Sequence, residues 1–509
     1  MYVHKVASRI ISAALWLAVC TKFSHGSIWV QDTSHIKISR YIYGHFTEHL
    51  GRGVYDGFYY HGKLRHDVSK AFIEIKIPDL RWPGGCFADQ YNWRDGIGNK
   101  KTRPKTVNTT WGMVTDDNSF GTNEFLDLCR EIGCEPYIAG NVGTGTPHEM
   151  SDWLEYLNFG GRSALSDLRV KNGHNAPYKV SLWGVGNESW GCGGNMTPEY
   201  YANLYKHYAA FCQDYPGAPL KKIISGANAD DYHWTEVMMR DIGPDKAWGL
   251  SLHYYTFPTG KWNPRGSATA FEEAEYFNTL KQGLRMQDII EKHEAIMDKY
   301  DPEKKMALVV DEWGVWCDVE PGTPKYAMYQ QGSLRDALIA ASTLNIFNNH
   351  ADRVRGANLA QAVNVIHSLI LTKGDKMLLT PTYWVFDLYK VHQDARLVPI
   401  KFTSPAYKLV NDSLQAVNAS ASRDKDGVTH VSLVNLDAHK TNAITLNLAG
   451  QPKDRVTAQV LTSARFNDIN SFEQPGKVHL QDFTKFKISG DHVEVEMPPL
   501  AVVMLTLKP

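Results

Sequence analysis

Two short stretches carry carboxylates in a setting that suits acid/base chemistry. In Trp183-Gly184-Val185-Gly186-Asn187-Glu188 an apolar run from Val180 ends in an amide and an acid, followed by Ser189, Trp190 and a glycine-rich turn. Met306-Ala307-Leu308-Val309-Val310-Asp311-Glu312 repeats the pattern, with Trp313 next. A buried strand that stops on an acid delivers that acid to an edge, because an unpaired carboxylate is costly inside. A single such Glu would more simply cap a following helix. A matched pair suggests two carboxyls converging on a ligand, one to give a proton and one to attack or to activate water.

The elements that would position this pair alternate strand, loop and helix. Strands are read at Tyr41 to Phe46, Ile77 to Trp82, Glu135 to Gly140, Val180 to Trp183, Lys222 to Ser225, Trp248 to Tyr254, Met306 to Asp311 and Ala357 to Ile366. They are continuous apolar runs, as expected of strands buried on both faces. Between them Thr197 and Pro198 are helix-start signals, and Tyr200, Leu204, Tyr208 and Cys212 mark one apolar face. Phe125, Leu128 and Cys129 begin another, and Leu334, Leu338, Ala341 and Phe347 a third. Eight such units over about 350 residues fit a (β/α)8 barrel, whose reactive residues lie at the carboxyl ends of the strands. A doubly wound open sheet is the rival, but its glycine-rich nucleotide loop is missing.

From residue 391 the texture turns to alternating, turn-punctuated strands, an antiparallel β-sandwich. The short segment 27–40 is expected to join it as an extra strand, leaving 41–390 as the barrel and 391–509 as the sandwich. Residues 1–26 read as a secretory signal peptide: Lys5 and Arg9, an apolar run from Ile10 to Cys20, then Ser24-His25-Gly26. The expectation is therefore a secreted or periplasmic protein, with a lipid anchor at Cys20 as the lesser option. No later stretch approaches membrane-spanning length.

Composition sets broad limits. The chain has 509 residues, 43% of them hydrophobic, which is ample for a large core. A net charge of −1 gives no reason to expect nucleic acid as a partner. Six cysteines follow the leader (Cys86, Cys129, Cys134, Cys192, Cys212, Cys317); they show no metal-ligand spacing, so no metal or cofactor is expected, and one or two disulfides stay open. Asn108, Asn187, Asn195, Asn411 and Asn418 sit in glycosylation sequons.

Paired carboxylates on strands four and seven of a barrel are what glycoside cleavage requires. Here a resemblance enters. Gly186-Asn187-Glu188 resembles the acid/base motif of the clan A retaining glycosidases, and the chain is similar to glycoside hydrolase family 51, the α-L-arabinofuranosidases. The match rests on Ile42 to Arg52, Arg81 to Phe87, Phe120 to Phe125, Trp183 to Glu188, Asp311-Glu312-Trp313 and Asn358 to Ile366. It implies Glu188 as general acid/base and Glu312 as nucleophile. Glu48 and Asn187 would hold furanose hydroxyls, and Gln361 would reach the exocyclic one. Cys86 falls where the family places a ring-contacting Asn or Cys, Trp111 would wall the pocket, His253 would sit near the nucleophile and Tyr255 would bond to it. The substrate implied is an arabinose-containing polysaccharide or oligosaccharide, with a homo-oligomer among the expected states. An endo-acting β-glucanase or xylanase on the same fold is the alternative, ahead of a non-catalytic carbohydrate binder. Two departures, Asp116-Asp117-Asn118 after Trp111 and Gly314 after Trp313, are expected to touch the rim.

Overall fold

The computed structural model describes residues 24–31, 34–448 and 455–508. Eight parallel strands close into a barrel in chain order: β1 Gly44–Phe46, β2 Asp79–Trp82, β3 Glu135–Gly140, β4 Leu182–Val185, β5 Lys221–Asn228, β6 Gly249–Thr256, β7 Ala307–Val315 and β8 Val354–Ala360. Nearly every strand residue is buried, which is why the sequence shows apolar runs and no alternation. Tyr137, Leu182, Ile223, Ala307 and Val309 pack together inside, toward the strands' amino-terminal ends. That packing leaves the opposite end free for chemistry.

Three strand boundaries differ from the sequence reading, and each bears on the site. The residues Arg40–Tyr43 form a 3-10 turn, and only Gly44–Phe46 pairs as β1. β7 continues through Glu312 to Val315, so Glu312 lies within a strand and not at its end. The ladder slips between Ser251 and His253 and again between Val310 and Trp313. A bulge of this kind lets the neighbours Asp311 and Glu312 both engage partners inside the barrel, which strict alternation forbids. β8 stops at Ala360, leaving Gln361 just past the strand.

The helix Pro198–Phe211 starts where Thr197 accepts from the Tyr200 amide. Its buried face is Tyr201, Ala202, Tyr205 and Tyr208, whereas Tyr200, read as core, is 60% exposed. A constant step of four residues drifts off a 3.6-residue turn, and the true face lies one residue along. The helix Leu334–Asn349 is buried from Leu334 to Asn348. It is held on both sides: the barrel flanks it, and Asn345 Oδ1 accepts from Ser420 and Ser432 of the sandwich at 2.8 and 2.7 Å.

The sandwich pairs two sheets. One runs Ile400–Thr403, Ser24–Val30, Asn442–Leu448, His492–Met497, Phe486–Ser489, and the other has six strands centred on Thr429–Asn435 and Ala501–Lys508. The amino-terminal strand lies inside the first sheet, antiparallel to Ile400–Thr403 and parallel to Asn442–Leu448. Ser24-His25-Gly26, read as a cleavage site, belongs to this strand, with Ser24 opposite Asn442 and Gly26 opposite Ile444. A side chain at Gly26 would meet the Thr403 carbonyl at 2.5 Å. The apolar run Ile10 to Cys20 lies outside the described residues.

Candidate active site

The loop after β4 presents Glu188 in an unusual backbone conformation. Gly186 has φ +90° and Glu188 φ +39°. A side-chain-bearing residue persists at positive φ only where its surroundings fix it, and such positions cluster at functional sites. Here the Glu188 carbonyl accepts from the amides of Gly191 and Gly193, at 2.7 and 3.1 Å. Gly193 must be glycine, because a Cβ there would lie 1.8 Å from the Asn187 carbonyl. The Glu188 side chain is 16% exposed and its Oε1 sits 2.9 Å from His253 Nδ1.

Glu312 is only 5% exposed. Arg81 Nη1 donates to its Oε1 at 2.9 Å and the Tyr255 hydroxyl donates to its Oε2 at 2.8 Å. One oxygen of Glu312, one of Glu188 and a ring nitrogen of His253 all lie within 4.8 Å of one another. Arg81 also donates to Asn187 Oδ1 at 2.5 Å, so one guanidinium aligns the amide with the second carboxylate. The Asn187 amide N–H donates to Asp89 Oδ2 at 3.1 Å, and Asp89 accepts further from Val142 and Gly143. Asn187 Nδ2 is a buried donor with no partner in the protein, as suits a group that meets a ligand hydroxyl.

Glu48 forms the far wall. Its Oε1 accepts from the Phe87 amide at 2.8 Å and Trp111 Nε1 at 2.9 Å, and Oε2 faces Gln361 Nε2 at 3.3 Å. Gly84 and Gly85 leave room for it, since a Cβ at Gly85 would come 2.8 Å from Glu48 Oε2. Cys86 is disulfide-bonded to Cys192, so it offers a half-cystine sulfur and not a thiol. All nine side chains singled out in the sequence therefore gather at the carboxyl end of the barrel.

Four carboxyls share this space with two cations: Glu48, Glu188, Asp311 and Glu312 with Arg81 and His253. Burial pushes the Glu48 carboxyl up to about 7, with the charge of Glu312 adding to it. Glu188 is raised by burial and by Glu312, against the opposing hydrogen bond from His253. Burial opposes the charge of His253, but Glu312, Asp311 and Glu188 outweigh it and hold the imidazole up to about 10. Asp311 goes the other way: despite burial, Arg81 and His253 keep it below the usual carboxylate range.

Both departures reach the interior, although Asp117 of the run Asp116-Asp117-Asn118 stays exposed as expected of the rim. Asp116 is buried and accepts from His49 Nδ1 at 2.7 Å and the Tyr55 hydroxyl at 2.6 Å, bracing the residue beside Glu48. Gly314 has φ +146°, and a Cβ there would press on His367 and the Ala360 carbonyl, at 3.1 and 3.2 Å. Asn108, in a sequon, is buried and donates to the His49 carbonyl. Arg81, Asp89, Asp311 and Cys192 were not singled out from sequence. An arginine within an apolar strand, Arg81 just before Trp82, was the available signal for the first, since a buried cation demands carboxylate partners. At the rim, Trp262 is 61% exposed, with its ring 5.1 Å from Trp316, which packs edge-on against Tyr255 at 4.9 Å. Arg265 lies over both tryptophans, 4.1 and 4.4 Å from their rings.

A closed (β/α)8 barrel with one acid after β4 and another in β7, both aimed into the same mouth, defines a glycoside hydrolase. Residues 71–272 match the α-L-arabinofuranosidase 1 domain model, and residues 311–501 match the α-L-arabinofuranosidase C-terminal domain model. The intracellular exo-α-L-arabinofuranosidase of Bacteroides ovatus is 48% identical over 92% of this chain and 93% of its own length. The family 51 arabinofuranosidase of Xanthomonas axonopodis pv. citri superposes with a TM-score of 0.93 at 46% identity, covering 96% of this chain and all of that one. An arabinose complex of the Thermotoga maritima α-L-arabinofuranosidase superposes at 0.84 with 31% identity, over 95% of this chain and 100% of that one. The chain belongs to glycoside hydrolase family 51, the α-L-arabinofuranosidases. The expectation of a secreted, periplasmic or lipid-anchored protein is overturned by the B. ovatus relative, which is named intracellular.

Proposed function

We propose that the chain removes terminal non-reducing α-L-arabinofuranosyl groups from arabinose-bearing oligosaccharides inside the cell, by double displacement with retained configuration. Glu312 attacks the anomeric carbon while Glu188 gives its proton to the departing oxygen. The covalent ester neutralises Glu312, which lowers the pKa of Glu188 and turns it into the base that activates water. Asn187 and Glu48 bind ring hydroxyls, Gln361 binds the exocyclic one, and Trp111 closes the wall. His253 orients Glu188 and Tyr255 orients Glu312. Trp262 and Trp316 offer flat apolar faces to the leaving sugar. We take residues 41–390 as the catalytic unit, with segment 27–40 joining residues 391–509 as its sandwich.

The observation that carries this reading is the closeness and asymmetry of the two acids. Oxygens within 4.8 Å suit direct attack, whereas an inverting pair stands roughly 6.5–9.5 Å apart to admit water. Glu312 accepts from two donors and Glu188 has its pKa raised, so nucleophile and acid are told apart by their surroundings. Buried Glu48 and Gln361 suit a pocket for one terminal ring more than the open cleft an endo-acting enzyme needs. The test is Glu188→Ala assayed on two substrates. An oligosaccharide should lose about 10²–10⁴-fold in kcat/KM, and a 2,4-dinitrophenyl arabinofuranoside should lose little, because its leaving group needs no proton. Equal loss on both would defeat the assignment.

A further inference from the structure

The disulfide between Cys86 and Cys192 joins the segment after β2 to the loop after β4, across 106 residues of sequence. Both sulfurs touch the same atom: Glu188 Oε2 lies 3.7 Å from Cys86 Sγ and 3.3 Å from Cys192 Sγ. Cys192 is exposed and Cys86 partly buried, so the bond is open to attack from solvent. Among the described residues the other cysteines, Cys129, Cys134, Cys212 and Cys317, are all buried. Nothing in the double displacement uses this pair.

We infer that Cys86 and Cys192 form a thiol–disulfide exchange site that tunes the acid/base carboxyl. The inference rests on Glu188 being that acid/base. A bonded pair of sulfurs carries no proton, so at Oε2 they can only accept or exclude water, which favours the protonated carboxyl. Reduction turns them into two S–H groups pointing donors at the same oxygen. Hydrogen bonds to the charged form favour it, so the carboxyl loses its proton at lower pH. The other charged or titratable groups facing Glu188 are His253 and Tyr255 from β6, Glu312 from β7 and Arg81 from β2, and reduction alters none of them covalently. Reduction also removes the covalent tether on a loop that holds Glu188 at positive φ.

The exchange balances simply. A small-molecule thiolate attacks Cys192 Sγ, the S–S bond breaks, and Cys86 leaves as a thiolate that takes up a proton. A second thiol then attacks the mixed disulfide, releasing Cys192 as a thiol and the reagent as its own disulfide. Two thiols are thus oxidised for each protein disulfide reduced, and an oxidised small-molecule disulfide drives the reverse. In a compartment kept reducing by thiols, a disulfide this accessible would follow the ambient balance.

The test uses the full-length enzyme, oxidised or treated with dithiothreitol, with the state of Cys86 and Cys192 read by mass spectrometry after alkylation. In the reduced enzyme the alkaline limb of kcat/KM on an arabino-oligosaccharide should move down by about one pH unit, a loss of about tenfold on that limb. The 2,4-dinitrophenyl glycoside should show no such shift. The double variant Cys86→Ser, Cys192→Ser keeps two donors at Oε2 and should copy the reduced profile without responding to dithiothreitol. Superimposed profiles for enzyme proven oxidised and proven reduced would overturn the inference, as would a pair that never oxidises. If Glu188→Ala keeps its selectivity between the two substrates while thiol has no effect, only this inference falls; if that selectivity is absent, the assignment of Glu188 falls with it.

Discussion

Arg81 is the strongest single test of how the site is held together. Replacing it with methionine keeps the apolar stem and deletes the guanidinium. Lost are N–H bonds to Glu312 Oε1 at 2.9 Å, Asn187 Oδ1 at 2.5 Å and the Asp311 carbonyl at 3.2 Å, with an ion contact to Asp311 at 3.7 Å. The arginine is 1% exposed, so water does not replace these bonds. A hydrogen bond to a charged partner is worth about 1.5–3 kcal/mol, and two of the lost bonds reach Glu312 and Asn187, the groups proposed to act on substrate. Together that is about 3–6 kcal/mol, or roughly 10²–10⁴ in kcat/KM. Stability should fall as well, because removing one partner of a buried ion pair costs about 3–5 kcal/mol. The assay is kcat/KM on the oligosaccharide and the dinitrophenyl glycoside, with Tm by calorimetry. The loss should be alike on both substrates, since both need Glu312, and this separates Arg81→Met from Glu188→Ala. Activity within tenfold of the parent at an unchanged Tm would refute the reasoning, and so would a loss confined to the oligosaccharide.

Three further outcomes follow from the same geometry. Burial raises Glu48 and Asp89 to about 7, and neighbouring carboxylates raise His253 to about 10 against its burial, so these three groups hold more protons in the folded chain than in the unfolded one; the buried His45, His367 and His392, lowered to about 3–4, oppose them below about pH 6.5. Tm should therefore fall as pH rises from about 7 to 9; the stability from His253 is fully present below about 6.5 and lost through about 10, and His253→Gln should flatten this limb of the curve. Trp262→Ala should raise KM for a branched oligosaccharide by about tenfold, the worth of one aromatic contact, and leave methyl α-L-arabinofuranoside unaffected, checked by steady-state kinetics. Gly193→Ala puts a methyl 1.8 Å from the Asn187 carbonyl and 2.7 Å from Asp89 Oδ2, so kcat should drop at least about tenfold as the acid/base loop is displaced, a result that crystallography of the variant can verify.

The chemistry was legible in the chain because it sits where local patterns are strongest, at the ends of buried strands. Glu188 follows β4 by a glycine turn, and apolar residues on one side and tryptophan on the other mark it without any fold in hand. What the sequence could not convey was long-range geometry. The disulfide joins residues that follow β2 and β4, two strands not adjacent in the barrel, and no spacing rule selects Cys192 from six cysteines. The bulge that turns Asp311 and Glu312 inward together leaves no trace in composition. Asp116 looked like rim because acids in loops usually are; its burial depends on His49 and Tyr55 arriving from another segment. The amino-terminal segment misled in the opposite way, since a basic, apolar and small-residue series is a local signal, and the pairing of Ser24 to Val30 within the sandwich is not.

The placement of charges explains why these acids differ when their side chains are the same. Arg81 and His253 face four carboxyls, and the negative charge of one carboxyl opposes ionisation of the next. Asp311 and Glu312 take the arginine contacts, with Arg81 and Tyr255 on Glu312 and Arg81, His253 and Tyr137 on Asp311, and Asp311 is held below the usual carboxylate range. Glu48 and Glu188 are instead raised by burial and by the charge of Glu312, Glu188 against its hydrogen bond with His253. Esterification of Glu312 removes one negative charge from this set, and the balance then favours one more ionised carboxyl. In the proposed double displacement Glu188 stands beside the reacting bond and is open to water at its edge, so the first chemical step would itself convert the acid into the base that the second step requires.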